Sequence, residues 1–197
     1  MESNIIYTCI TGNYDLLRPI NAPCRAVIFS DKQIICDGWE WVKIDLSPKV
    51  YRAVKIMPSQ FLPNHKKSVW MDGNLEFLGN WSDILDKSGF WVMQHPERDN
   101  IIDEAAKIAQ LGKDTNEMMQ SCLNRYTNAG LVATGVLIRD NSVINNAFSL
   151  EWWREVSTLS HRDQMSFCWV ADKMKLTYSK FPFLHGFKKH KHALASN

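Results

Sequence analysis

With 197 residues the chain can bury one sizeable core and little more, and its balance of 45% hydrophobic and 22% charged residues is that of a globular domain in water. A net charge of +2 is too mild for nucleic-acid binding by the whole chain, and no apolar run approaches the length of a membrane span. The five cysteines form no CxxC pair and no zinc-ligand spacing, so they read as scattered core thiols of a reducing compartment, with a Cys24–Cys36 disulfide disfavoured.

The first predicted element, "NIIYTCIT" (4–11), is a β-rich run suited to a central strand, and "GNYDLLRP" then turns the chain away. "RAVIFSD" (25–31) is a second apolar strand ending in an acid, and "WEWVKIDL" (39–46) alternates like a half-buried one. Ser47-Pro48 offers a cap and a first-turn proline for a helix to about Met57. "SVWMD", the short helix "WSDILDKS" and the strand "GFWVMQ" (89–94) follow. Two helices, "DNIIDEAAKIAQLG" and "DTNEMMQSCLNRYTNAG", each open on an Asp and end at a glycine. A strand over 131–140 and helices over "SVINNAFSLEWWREVSTLS" and "RDQMSFCWVADKM" lead to a terminal stretch from Lys180 that reads as a loop or tail. No acid follows Asp172, so that end is locally basic. No linker or repeat divides the chain, and the alternation of strands and helices predicts a single α/β layered domain over 1–197 with a largely parallel sheet. The N-terminus lacks the basic region of a signal peptide, which makes the cytoplasm the expected location.

In such a sheet ligands bind beyond the carboxyl ends of the strands. Three predicted strands end in related polar signals: Thr11-Gly12-Asn13-Tyr14-Asp15, Ser30-Asp31, and Asp72-Gly73-Asn74. The last has two readings: the turn of a hairpin, or two oxygen-bearing side chains presented to a divalent cation. "LHGFKKHKH" (184–192) is either a solvated basic tail or a source of a metal ligand, His185, and a phosphate-neutralising lysine, Lys188 or Lys189. Asp163 and Gln164 open a predicted helix, where the acid is a cap or a grip on sugar hydroxyls. Glu151 lies beside Trp152 and Trp153, where an indole environment would raise its pKa toward general-base work; an exposed helix face is the alternative. His95 and Arg98 stand at a further strand end.

As an ordered set, "YTCITGNYDLLRP", "FSD", "VWMDGN", "HPERDNIIDEA", "TGVLIRD" and "EWWREVSTLSHRDQMSF" resemble the small GT-A glycosyltransferase-like domains of viruses, bacteria and some plant membrane proteins, over about residues 5–170. The resemblance implies a Rossmann-like fold that transfers a sugar from a UDP- or GDP-sugar to a glycan or glycoprotein, a capsid protein and the host cytoplasm included if the source is viral. By it, Asp72 and Asn74 face a Mn²⁺ or Mg²⁺ ion and the diphosphate, with His185 as a further ligand. Asn74 replaces the usual last acid of the DxD motif, which bears on metal dependence. Thr8, Gly12, Tyr14 and Asp31 hold the nucleoside, Arg162, Gln164 and Lys188 the rest of the donor, and His95, Arg98 and Trp152 the sugar or acceptor. Asp163 is carried over as a sugar-binding catalytic residue. Glu151 is the candidate base for an inverting displacement, whereas Gln164 behind the anomeric carbon would suit retention. The competing classes are a nucleotide-binding module without turnover and a metal-dependent phosphohydrolase, the latter disfavoured because the turn offers one carboxylate.

Overall fold

Residues Ile5 to Ile10 are buried without alternation, so both faces of β1 (Ser3–Ile10) are covered, as a central strand requires. The computed structural model describes residues 3–47 and 49–193. After β1 come β2 (Arg25–Ser30), β3 (Glu40–Lys43), two short helices α1 (Val50–Ile56) and α2 (Pro58–Phe61), β4 (His65–Met71), β5 (Leu75–Phe77), α3 (Ser82–Leu85) and β6 (Phe90–Met93). Helices α4 (Ile101–Gln110) and α5 (Asn116–Arg125) precede β7 (Ala133–Asp140), and α6 (Val143–Thr158), α7 (Asp163–Met174), β8 (Ser179–Phe181) and β9 (Phe187–Lys189) complete the order.

Seven strands form one sheet in the order β3-β2-β1-β4-β7-β6-β8. All run the same way except β7, which is antiparallel to both neighbours. The expected mostly parallel α/β sheet is therefore present. One face carries Tyr7, Trp70, Phe90 and Leu137 under α1 and α4–α7; the other carries Ile6, Val69 and Ile138 under α3 and a separate β5–β9 ribbon. Phe90, Phe148 and Phe167 stack edge-on at 5.3–5.6 Å between centroids, with Trp152 fully buried against them. Such a ring cluster contributes chiefly through buried area, about 1.5–3 kcal/mol for each side chain.

Several local expectations change. The Asp72 turn does not close a hairpin: β5 leaves the main sheet and pairs antiparallel with β9, so the "tail" is a strand. Asn100 and Thr115 cap α4 and α5, each one residue after the acid expected, because their side-chain oxygens meet the free N–H groups of the first turn. Helix α1 starts at Val50 with Lys49 in a left-handed conformation; Pro48, its expected first residue, lies outside the described residues. All five cysteines are free thiols. Among the described residues, no helix is long and apolar enough to cross a membrane.

Candidate functional site

Because β1, β2 and β4 are adjacent and parallel, residues 11–15, Asp31 and Asp72 come to one edge. β6 runs the same way and delivers His95 there, while the reversed β7 brings its beginning, Thr134 and Gly135, to that edge instead of its end. Two close approaches need glycine. A Cβ on Gly73 would lie 2.6 Å from Ile10 Cγ1, and one on Gly135 would lie 3.3 Å from Asp72 Oδ2. The Asp72 N–H donates to the Gly135 carbonyl at 2.8 Å, which locks the turn onto β7.

At the centre stands Lys55, a buried lysine near the end of α1. Its Nζ lies 2.6 Å from Asp163 Oδ2, 3.5 Å from Asp72 Oδ1 and 3.2 Å from Thr134 Oγ1. Arg52, one helical turn earlier, reaches Asp163 Oδ1 at 3.2 Å. Asp163 is thus not a cap: it is buried, and its carboxylate is fully engaged by two cations and the Thr134 hydroxyl. Burial alone would raise its pKa, but Arg52 and Lys55 outweigh burial and lower it to about 2. Asp72 is the more open acid, 39% exposed, with Oδ1 also accepting from Trp70 Nε1 at 2.8 Å.

The helix bearing Lys55 is fixed from below by Arg139 on β7. This buried guanidinium donates to the Lys55 and Ile56 carbonyls at 2.7 and 2.9 Å and bonds the Tyr7 hydroxyl, which itself donates to Lys55 O at 2.8 Å. A cation at those terminal carbonyls satisfies acceptors the helix leaves free and complements its dipole.

A second polar group adjoins the first through the start of α7. Gln164 donates to Glu104, which also accepts from Arg98 Nε at 2.7 Å and lies 3.6 Å from His95 Nε2. His95, Arg98 and Gln164 are therefore brought together, by a residue to which sequence reasoning gave no role. Burial is the largest influence on His95 and keeps its pKa below the ordinary value.

At the ends of β1 and β2, Gly12 donates its N–H to Asp31 Oδ1 at 2.9 Å, and Tyr14, half exposed, stacks on His192 at 4.6 Å. His192 Nδ1 lies 2.6 Å from Asp15, and Ala193 N–H donates to Tyr14 O, so the C-terminal segment is fastened to this loop.

Other expected residues sit elsewhere. Thr8 is fully buried and points to the face shared with Ile6 and Ile10, opposite Tyr7 and Lys55, so strand alternation separates it from the Lys55 group. Asn74 is buried and its side-chain amide donates to His190 O at 3.0 Å, while its backbone carbonyl accepts from His190 N; it anchors the ribbon. His185 lies beyond Phe77 in the β5–β9 register, roughly 10 Å of ribbon from the Asp72 end. Lys188 is exposed in that ribbon opposite Glu76; its neighbour Lys189 acts on Asp15. Trp152 is core, its N–H donating to Asp163 O at 3.1 Å, so it supports the site from within instead of contacting an acceptor. Glu151 is held by Lys173 at 2.7 Å and Arg154 at 2.9 Å, and their hydrogen bonds lower its pKa, the reverse of the indole-driven rise expected. Glu151→Gln should leave kcat/KM for sugar transfer within about twofold of wild type; a loss beyond tenfold would return Glu151 to the chemistry.

The metal-ligand set does not assemble. Asp72, Asn74 and His185 do not converge, and no group of three or more His, Cys, Asp or Glu side chains among the described residues could hold a metal ion. Missed altogether were Lys55, Arg52 and Thr134. The available signal was "YRAVKI", where two cations three residues apart interrupt an otherwise apolar helix.

A mostly parallel α/β sheet with polar groups gathered at its carboxyl edge is consistent with a Rossmann-like, glycosyltransferase-like fold. The chain belongs to the TOD1/MUCI70, glycosyltransferase-like domain family, which matches residues 47–193. It is 28% identical over 140 residues to "Probable hexosyltransferase MUCI70" of Arabidopsis thaliana, a match covering 61% of this chain and 24% of the relative. The chain thus spans about a quarter of that relative's length. Lys55, Asp72, Glu104 and Asp163 lie inside the family match; Gly12, Tyr14 and Asp31 lie before it.

Proposed function

We propose that this protein transfers a hexosyl group from a nucleotide-diphosphate donor to a hydroxyl of a glycan or glycoprotein. The observation that carries the reading is Lys55 Nζ held between Asp163 and Asp72 at the sheet edge where such donors bind. The base would lie against Tyr14, with Asp31 and Gly12 shaping the loop around the ribose. Gln164 would face the sugar, oriented through Glu104, and Asp163 would order Lys55 and Arg52 from beneath. His95 and Arg98 would line the acceptor side.

In the transfer, the bond between the anomeric carbon and the phosphate oxygen breaks, and its electron pair leaves on the diphosphate. The acceptor oxygen bonds to the same carbon. The Lys55 ammonium supplies fixed positive charge where the leaving group gains negative charge. Glu151 is tied to two cations and Asp163 stays ionised as a very weak base, so neither is suited to take the acceptor proton. The departing phosphate oxygen takes it in our reading, which demands attack from the same face and retention of configuration. The five free thiols support work in a reducing compartment, the cytoplasm.

The test is turnover of UDP- and GDP-hexoses with a panel of glycan acceptors, followed by NMR of the anomeric proton. Release of nucleoside diphosphate with a retained linkage is expected. An inverted product would sink the proton route, and donor binding without turnover on any acceptor would leave a binding module.

A further inference from the structure

Resting on the transferase reading, we infer that the donor diphosphate is neutralised by the chain's own cations, Arg162 and Lys189 on the rim above the paired Lys55 and Arg52 of the floor, in place of a divalent ion. The residues expected to hold such an ion are otherwise employed. Asn74 spends its amide on His190, His185 stands at the far end of the ribbon, and Asp72 Oδ1 already serves the Trp70 N–H with an ammonium 3.5 Å away. An ion taken up by the Asp72 carboxylate at either oxygen would be repelled by the Lys55 ammonium beside it.

The cations, by contrast, are in place. Asp72 and Asp163 are the acids of the floor, and Lys55 and Arg52 already match them. Arg162 precedes Asp163 and makes no ion pair among the described residues; its buried Nε has no hydrogen-bond partner, nor has the buried Nε of Arg52. A buried guanidinium N–H without an acceptor is costly and suits an oxyanion ligand. Lys189 sits opposite Leu75, just past the Asp72 turn, where it acts on Asp15 without forming an ion pair among the described residues. Arg162 beside Asp163 and Lys189 beside the Asp72 turn thus add positive charge around the place that a diphosphate diester would fill.

The experiment is calorimetric titration of the full chain with UDP and GDP, in EDTA and again with Mn²⁺, with uridine and guanosine as phosphate-free controls. One nucleotide should bind in EDTA within about threefold of its affinity in Mn²⁺. Arg162→Gln and Lys189→Gln should each weaken that binding about tenfold, as loss of a charge-assisted bond does, with nucleoside binding and the exposed control Lys66→Gln unchanged. Lys189 is an exposed rim residue, so its variant keeps the test open if Arg162→Gln folds poorly. Binding only in Mn²⁺, or wild-type affinity in the Lys189 variant, would overturn this inference and leave the transferase reading standing. Binding of neither nucleotide in either buffer would remove both.

Discussion

Lys55→Met is expected to lower kcat for sugar transfer by about 10²–10³-fold, the scale of losing one preorganised donor to a developing anion. The change keeps the apolar stem packed near Trp70 and deletes only the ammonium that bridges Asp72 and Asp163. It also leaves Asp163 buried with Arg52 as its remaining ion-pair partner. Removing one partner of a buried pair costs about 3 kcal/mol, on the order of a 10 °C fall in Tm for a chain of this size. Turnover measured well below that lowered Tm separates chemistry from stability. Lys55→Arg keeps charge but not shape, and should recover stability better than rate. A Lys55→Met enzyme with rates within a few-fold of wild type would show that the lysine is only a structural counter-ion.

Asp163→Asn should erase a distinct part of the acid sensitivity. The folded pKa of Asp163, about 2, lies below its ordinary value of 3.8, since Arg52 and Lys55 hold the carboxylate charged against burial. A depressed carboxylate stabilises the fold at pH above its unfolded pKa, and that contribution fades as pH falls toward the folded value. The expected size is about 2 kcal/mol, present at pH 5 and largely gone near pH 2. Arg125 also holds the Glu155 carboxylate below its ordinary pKa, so the measured quantity is the difference between wild type and variant in urea-unfolding free energy at each pH. That gap should narrow by about 2 kcal/mol between pH 5 and 2. A constant gap would mean that Asp163 is not held ionised by its neighbours. Activity should fall too, because an amide cannot balance Lys55 and Arg52.

Much of this architecture was legible in the residues. Apolar runs with polar ends located β1, β2, β4 and β6, and the rule that ligands gather at the carboxyl edge joined Asp31, Asp72 and His95 before any coordinates. Asp163 was singled out, though local signals could not distinguish a cap from a buried ion pair. The partner that decides this, Lys55, lies 108 positions away in sequence, and only the packing of α1 against the sheet unites them. Strand direction was the second obstacle. Nothing in "TGVLIRD" says that β7 runs backwards, so Thr134 and Gly135 went without a role. Glu151 and Trp152 show the third. Neighbours on a helix face different ways, and one turned to the core while the other turned to Lys173 and Arg154.

The shared site of Asp72 and Asp163 is tested most directly by a double-mutant cycle. Donor turnover is measured for Asp72→Asn, Asp163→Asn and the double variant under one set of conditions. If both acids act through the same Lys55 ammonium, the double variant is hardly worse than the poorer single one, a strong departure from additivity. Losses that simply multiply would contradict the account, because the two carboxylates would then be working independently.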